Sequence, residues 1–262
     1  MSFEVFFIII TTIYGIIIGS FLNVCIYRIP KHESIVIVPS HCMACGKQIK
    51  WYDLVPLVSF LFLGGKCRYC KTKLSWQYPL VEAVNGIGYA VLSGCLVYQG
   101  YSVMNVKDIA TIITFCLCSS ALLALSIIDW RTYEIPVAFN IFIGILGIIR
   151  LLTDLSNWQN YAIGFIAVSG FLYLLYVITK GRGIGGGDIK LMAAAGLLLG
   201  WKLILLSLGI GCVLGSVIHL ILMKVQKKDR VLAFGPYLSM GIYLSMICGE
   251  WLIDWYISMF IQ

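Results

Sequence analysis

Residues 5–27 read VFFIIITTIYGIIIGSFLNVCIY and contain no charged side chain. A lipid bilayer core needs about 20 apolar residues per helix, so this stretch is long enough to cross a membrane. Further uncharged runs follow along the chain, and one acid, Glu82, interrupts the first of them. These runs are 74–106, 109–128, 135–149, 155–179, 191–201, 203–223 and 231–249. The pattern predicts an all-α polytopic integral membrane protein with about eight transmembrane helices, of which the fourth and sixth are the shortest.

The composition agrees with this class of protein. Of the 262 residues, 60% are hydrophobic and 12% are charged, whereas ordinary soluble domains have about 45–50% apolar and about 25% charged residues. These proportions exclude a soluble single domain, a disordered chain and a disulfide-rich secreted module. The first run is predicted to be a retained helix, because it lacks both a basic leading segment and a small-residue cleavage site.

Lysine and arginine are concentrated on one side of the predicted membrane. With eight spans, 16 of the 19 basic residues fall in one set of alternating loops. Because cytoplasmic loops carry the excess of Lys and Arg, this set is predicted to be cytoplasmic, with both termini outside. The net charge of +7 then reflects topology, and no nucleic-acid partner is expected. We predict three parts: a first transmembrane helix over 1–27, a cytoplasmic insertion over 28–75 and a transmembrane core over 76–262.

The insertion contains two pairs of cysteines with the spacing of metal ligands. They are Cys42-Met-Ala-Cys45 and Cys67-Arg-Tyr-Cys70, with 21 residues between the pairs. Each C-x-x-C pair can hold one side of a tetrahedral ion, so the four thiolates predict a structural Zn²⁺ site in a small zinc-ribbon-like module. Gly46 and Gly65 are expected in its turns. Two disulfides or four free thiols are the alternatives, and a reducing cytoplasm disfavours the disulfides.

Two acidic residues are predicted to lie at one membrane depth, facing the same leaflet. Asp129 ends the third span, and Asp188 opens the sixth span directly after three glycines at 185–187. An ionisable group at the membrane is costly, so each aspartate is a candidate functional residue. The alternatives are structural: Asp129 could end its helix paired with Arg131, and the glycines could serve close packing of helices.

Two carboxylates at one depth can share a proton, which leaves one ionised and the other protonated. The ionised group can take a proton from water while the protonated group polarises a peptide carbonyl, which is the chemistry of aspartyl proteases. Gly185 and Gly187 leave room for an extended substrate strand. Lys190 either positions Asp188 or marks the inner leaflet. Glu82 is either a polar anchor for the insertion or an acid that binds an amine.

The same segments carry the motifs of a known family. The chain resembles the type IV prepilin peptidases, which are membrane aspartyl proteases of the G-x-G-D class. The matching segments are 19–30, the two C-x-x-C pairs, 51–56, 78–82, Asp129 with Thr132 and Ile135-Pro136, Gly185-x-Gly187-Asp188-x-Lys190, and 234–241. The family often has Arg where this chain has Gln77, and an acid where it has Val137.

The resemblance implies an enzyme of the bacterial inner membrane that removes the basic leader from prepilins or pseudopilins at the cytoplasmic face. It implies that Asp129 and Asp188 are the catalytic pair and that Cys42, Cys45, Cys67 and Cys70 form the metal site. Many members also methylate the new N-terminal amine with S-adenosylmethionine. The alternatives are a peptidase without methyltransferase activity, a proton-relay transporter, and a non-catalytic assembly protein with a zinc docking module.

Overall fold

The computed structural model describes residues 3–226 and 233–259. Across these two ranges the chain forms nine α-helices and no β-strand. The helices are α1 (Phe3–Arg28), α2 (Val58–Phe62), α3 (Gln77–Tyr98), α4 (Val106–Thr132), α5 (Val137–Thr153), α6 (Trp158–Ile178), α7 (Gly186–Leu199), α8 (Trp201–Gln226) and α9 (Gly235–Ser258). The prediction of an all-helical protein is therefore confirmed.

The eight long helices, α1 and α3–α9, coincide in order with the eight uncharged runs of the sequence. Within the described residues, five helices are long and apolar enough to cross a membrane, namely α1, α3, α4, α6 and α8. α5 is a shorter apolar helix of 17 residues and α7 has 14 residues, and these are the fourth and sixth predicted spans. The chain is a multi-pass membrane protein, and the count of eight spans stays a prediction.

α4 lies at the centre of the bundle and packs against α1, α3, α5 and α9. Between Asp108 and Asp129 its sequence is uncharged on every face, which is the pattern of a helix enclosed by other helices. Ile112, Leu125 and Ile128 on this helix are at most 1% exposed. The helix that carries Asp129 is therefore largely enclosed by its neighbours.

Polar side chains connect α1, α3 and α4 inside the bundle. Asn85 donates its side-chain amide to the Gly15 carbonyl at 2.7 Å, and the Ser120 hydroxyl donates to the Asn85 carbonyl oxygen at 2.9 Å. The Tyr89 hydroxyl lies 2.9 Å from the Ser120 hydroxyl. Because lipid offers no hydrogen-bond partners, polar groups at this depth bond to one another. These bonds fix α3, the first helix after the insertion, between α1 and α4.

α6 and α7 meet at two facing glycines. A Cβ atom on Gly164 would clash with the carbonyl oxygen of Gly196, and a Cβ atom on Gly196 would clash with the carbonyl oxygen of Gly164. The two backbones can touch only because neither residue has a side chain, as is common where membrane helices pack closely. This contact holds α7, which carries Asp188, against the rest of the bundle.

Candidate active site and metal centre

Asp129 lies in the last turn of α4. The helix ends at Thr132 because Tyr133 adopts a left-handed conformation with φ of 56° and donates its N–H to the Asp129 carbonyl at 2.8 Å. The Asp129 side chain is buried, and its Oδ2 accepts the backbone N–H of Gly235 at 2.9 Å. The carboxylate is therefore held between the end of α4 and the start of α9.

Asp188 lies in the first turn of α7, as its third residue. Gly185 is the N-cap of this helix and has no side chain to cap it, but its backbone N–H donates to the Asp188 carboxylate. An acid at the third helical position that bonds back to the N-cap is one half of a capping box. The Asp188 side chain is buried. A Cβ atom on Gly185 would lie 3.1 Å from Asp188 Oδ2, so this position favours glycine.

The two aspartates lie at the same end of the bundle, on either side of Ile135. A Cβ atom on Gly187 would lie 3.0 Å from the Ile135 Cβ, and one on Gly235 would lie 3.2 Å from the Ile135 Cδ1. Across this contact the negative charge of Asp129 acts on the carboxyl group of Asp188. We call this the aspartate end of the bundle. The fold thus brings together the two acids that the sequence places at one depth, while their catalytic role stays a prediction.

Nearby basic side chains do not neutralise the pair. Arg131 donates its guanidinium to the side-chain oxygen of Gln77 at 2.6 Å, so it is directed toward α3 and not toward Asp129. Lys190 is exposed, and in the described part of the chain neither aspartate forms an ion pair. No ion pair in the described residues therefore supports a role for Lys190 in positioning Asp188.

Glu82 contacts the insertion. Its buried carboxylate accepts the backbone N–H of Leu57 at 2.7 Å and bonds to the Ser20 hydroxyl. Leu57 has a φ of 60°, which non-glycine residues rarely adopt. These contacts favour the anchor interpretation of Glu82 over the amine-binding one, because its carboxylate is already occupied by the turn that leads into α2.

The four predicted metal ligands converge in the insertion. The sulfur atoms of Cys42, Cys45, Cys67 and Cys70 all lie within 4.8 Å of one another, and none of these cysteines forms a disulfide. Four thiolates in a tetrahedral cluster are the ligand set of structural zinc sites, and they leave no open position for a substrate or water. The chemistry of the donor set therefore fits a structural metal ion.

Each C-x-x-C pair is closed by a turn, although one turn differs from the prediction. The N–H of Gly46 donates to the Cys42 carbonyl at 2.8 Å, and the N–H of Lys71 donates to the Cys67 carbonyl at 3.0 Å. Gly46 and Lys71 both have positive φ, of 70° and 60°. The residue equivalent to Gly46 is thus Lys71, whereas Gly65 forms a separate turn before the second pair. The sequence pointed to Gly65 for this turn, but the residue with the left-handed conformation after a C-x-x-C pair is not always glycine.

Hydrogen bonds favour the ionised form of two of the four clustered thiols, which is the form that binds a metal. Contacts with the hydroxyl and backbone amide of Thr72 lower the pKa of the Cys70 thiol to about 6, and backbone amides lower the pKa of Cys42. Although a backbone amide also acts on Cys45, burial and the neighbouring thiols raise its pKa to about 11. Four clustered sulfurs cannot all be ionised without a cation between them, so the site as a whole is suited to a divalent metal.

A cavity of about 200 Å³ marks the opposite end of the bundle. Its wall includes Tyr101 before α4, Asp154 after α5, Asn160 in the first turn of α6, and Glu250 near the end of α9. None of the residues predicted to act in catalysis or metal binding lines this cavity. The cavity therefore defines the far ends of the same helices whose other ends meet at the aspartates.

The sequence indicates no individual role for Gly235 or for the packing of Ile135. Gly235 contacts Asp129 across 106 positions of the chain, a separation that no local pattern encodes. The signal in the sequence that could have indicated the contact is the Gly235-Pro236 step at the start of α9. A backbone N–H at the start of a helix is free and can bind a carboxylate.

Two models of protein families match the chain. Residues 13–95 match the bacterial peptidase A24 N-terminal domain, a range that includes the later part of α1, the insertion and most of α3. Residues 116–220 match the type IV leader peptidase family, and this range contains both Asp129 and Asp188. Gly235 lies outside both matched ranges.

Several curated proteins are similar over nearly their whole length. A prepilin leader peptidase/N-methyltransferase of Bacillus subtilis is 33% identical over 94% of this chain and 96% of its own length. Proteins with the same name from Xanthomonas campestris and Pseudomonas putida are 31% and 29% identical, over 93% and 94% of this chain and 92% of their own lengths in both cases. No solved structure matches the chain.

Proposed function

The chain belongs to the type IV leader peptidase family, and from this membership we propose that it is a membrane aspartyl endopeptidase that removes the leader from prepilins or pseudopilins. The observation that carries the proposal is the pairing of Asp129 and Asp188. Both are buried at one end of the bundle, and no ion pair is formed by either within the described residues. Peptide hydrolysis by the aspartyl-protease mechanism, in which a water molecule attacks directly, needs two such carboxylates.

The proposed reaction uses one water molecule and returns the pair to its starting state. The ionised aspartate takes a proton from water, and the resulting hydroxide attacks the carbonyl carbon of the scissile peptide. The protonated aspartate gives its proton to the carbonyl oxygen, which forms a neutral tetrahedral gem-diol. Collapse of this intermediate breaks the C–N bond: the aspartate that took the proton from water gives it to the leaving amine, and the other aspartate takes back a proton from a hydroxyl of the diol. A carboxylic acid and an amine are released, and the pair again holds one proton. No covalent intermediate is formed.

Asp129 and Asp188 are held by different kinds of contact, which supports distinct roles within the pair. Asp129 accepts a backbone N–H from another helix, that of Gly235, while Asp188 bonds to its own N-cap. The glycines at 185–187 leave the approach to Asp188 free of side chains, so an extended substrate strand can lie there. We infer that the aspartate end faces the cytoplasm, where the family resemblance places the leader.

The cysteine cluster would hold a structural Zn²⁺ through Cys42, Cys45, Cys67 and Cys70, and the ion would stabilise an insertion too small to build its own core. The ion takes no part in the proposed hydrolysis, because four thiolates close its coordination shell. We also propose that the chain methylates the new N-terminal amine, as the names of its relatives state for those proteins. S-adenosylmethionine is the expected methyl donor, and we assign no residue of this chain to it.

The proposal is tested by co-expression with prepilin-like substrates, followed by mass spectrometry of the pilin N-terminus. Wild type is expected to remove the leader, while Asp129→Asn and Asp188→Asn each lower the cleavage rate about 10²–10⁴-fold, the usual contribution of an acid–base group. Asp254→Asn is the matched control, because Asp254 is an exposed acid near the far end of α9. The added mass of one methylene on the mature pilin would establish methylation.

The outcome also separates the alternatives. If the aspartate variants cleave as fast as wild type, the aspartyl mechanism is wrong. If no substrate is cleaved by folded, metal-containing wild type, a non-catalytic assembly protein becomes the better description. Cleavage without added mass would favour a peptidase that lacks methyltransferase activity for that substrate.

A further inference from the structure

We propose that residues 55–63 form an interfacial membrane anchor, which dips into the lipid leaflet at the aspartate end of the bundle. The segment reads VPLVSFLFL and contains no charge and a single polar side chain, that of Ser59. It lies inside the insertion over 28–75, which is predicted to be cytoplasmic. Its composition is that of a lipid-contacting segment, and at nine residues it is far too short to span a bilayer.

The short helix within this segment, α2, exposes its largest apolar side chains. Leu61 is 73% exposed and Phe62 is 88% exposed, which is unusual for residues of this size in contact with water. The opposite side of the helix is packed, because the Phe60 ring contacts the Trp76 ring with 5.2 Å between the centroids. α2 is therefore a two-faced element whose apolar outer face has no protein partner in the described structure.

The attachment points of the segment set its depth. Leu57 is bonded to Glu82, which lies five residues into α3, about 7–8 Å along the helix axis at 1.5 Å per residue. Trp76 directly precedes α3 and is 75% exposed, as expected of an aromatic residue at a membrane interface. The chain thus enters α2 on the bilayer side of this tryptophan. Interfacial segments bury their apolar faces about 5–10 Å into the boundary of headgroups and acyl chains, which matches this depth.

The surrounding charge identifies lipid as the occupant. Between residues 28 and 75 the chain has eight Lys or Arg and two acids. Anionic headgroups of the cytoplasmic leaflet attract such a basic region next to a membrane helix. The same charge repels a second copy of the insertion, and it repels a basic peptide. Apolar side chains at acyl depth beneath a basic surface are complementary to an anionic phospholipid leaflet.

Photo-crosslinking in nanodiscs tests the anchor without any measurement of activity. The full chain is prepared with the photoreactive residue p-benzoylphenylalanine in place of Phe62, and separately in place of Tyr69 as the matched control. Tyr69 is also an exposed aromatic residue of the insertion, but it lies between two of the clustered cysteines. Both proteins must keep the wild-type elution profile. After irradiation, intact mass spectrometry reports adducts with the nanodisc phospholipid.

We expect a phospholipid adduct at position 62 in at least five-fold excess over position 69. Equal adducts at both positions, no lipid adduct at position 62, or a crosslink from position 62 to protein would overturn the proposal. A second measurement uses the Leu61→Gln, Phe62→Gln double variant. Hydrogen exchange of the backbone amides of residues 58–63 is expected to rise several-fold in nanodiscs, and unchanged exchange would count against the anchor.

Discussion

At the scale of single residues, the contact between Gly235 and Asp129 is the most constrained feature of the aspartate end. A Cβ atom at position 235 would lie 2.6 Å from Asp129 Oδ2 and 3.2 Å from the Ile135 Cδ1. Alanine there must therefore move the carboxylate or the start of α9. Displacement of a reacting group by about 1 Å can cost about 10²-fold in rate, so we expect Gly235→Ala to lower leader cleavage by that order while the protein stays folded.

The measurement is the single-turnover rate of cleavage of a purified prepilin, with circular dichroism as a check on folding. Gly209→Ala is the matched control, because a Cβ atom on Gly209 in α8 would meet nothing within 4 Å. Alanine also favours a helix more than glycine does, so this control is expected to keep full activity. Full activity in Gly235→Ala would mean that the Gly235 contact does not position Asp129.

At the scale of elements, the insertion depends on its four cysteines. Cys67 is buried in the cluster, and replacement by serine removes one of the four metal ligands. Because metal binding and folding are one equilibrium in small zinc modules, we expect Cys67→Ser to lose the bound zinc and to make residues 28–75 sensitive to protease. Elemental analysis and limited proteolysis of the purified protein measure both effects.

Cys212→Ser is the control for this experiment, since Cys212 is an exposed cysteine of α8 far from the cluster in sequence. It is expected to keep one zinc per chain and the wild-type cleavage pattern. Zinc retained at the wild-type level in Cys67→Ser, or wild-type protein without zinc, would refute the metal assignment.

The contact between α6 and α7 gives a second prediction at this scale. Gly164→Ala places a methyl group against the carbonyl oxygen of Gly196, so the two helices must separate. Overpacking of this kind typically costs about 1–3 kcal/mol, and we expect the variant to unfold at lower denaturant concentration than wild type. Gly170→Ala on the same helix is the control, because its Cβ atom would make only an ordinary 3.5 Å contact. Equal midpoints for the two variants would show that the helices do not depend on this glycine contact.

At the scale of the whole molecule, the sequence predicts the features that depend on residues close together in the chain. Uncharged runs predict the eight long helices, because each helix in a bilayer must satisfy its own backbone hydrogen bonds. The spacing of the C-x-x-C pairs predicts the metal ligands, because the two ligands of each pair are close together in the sequence. The bond between Gly235 and Asp129, the bond between Glu82 and Leu57, and the outward face of α2 arise from packing between distant segments, so no local pattern predicts them.

The arrangement of the helix ends makes a prediction about topology. α4 ends at the aspartates and α9 begins there, since Gly235 bonds to Asp129, whereas Asp154 and Glu250 line the cavity at the opposite end. α4 to α9 therefore run alternately between the two ends. With the aspartate end in the cytoplasm, as the excess of Lys and Arg in its loops favours, the C-terminal end of α9 lies outside.

Reporter fusions test this orientation in the native host membrane. Alkaline phosphatase, which is active only outside the cytoplasm, is expected to be active when fused at the C-terminus and inactive when inserted at residues 180–183, between α6 and α7. A fluorescent protein that folds in the cytoplasm should give the opposite pattern at the same two positions. A cytoplasmic signal at the C-terminus would mean that one helix does not cross the membrane. α7 is the first candidate, because it has only 14 residues. The alternation that places 16 of 19 basic residues on one side would then fail as well, because every loop after the missing span changes sides.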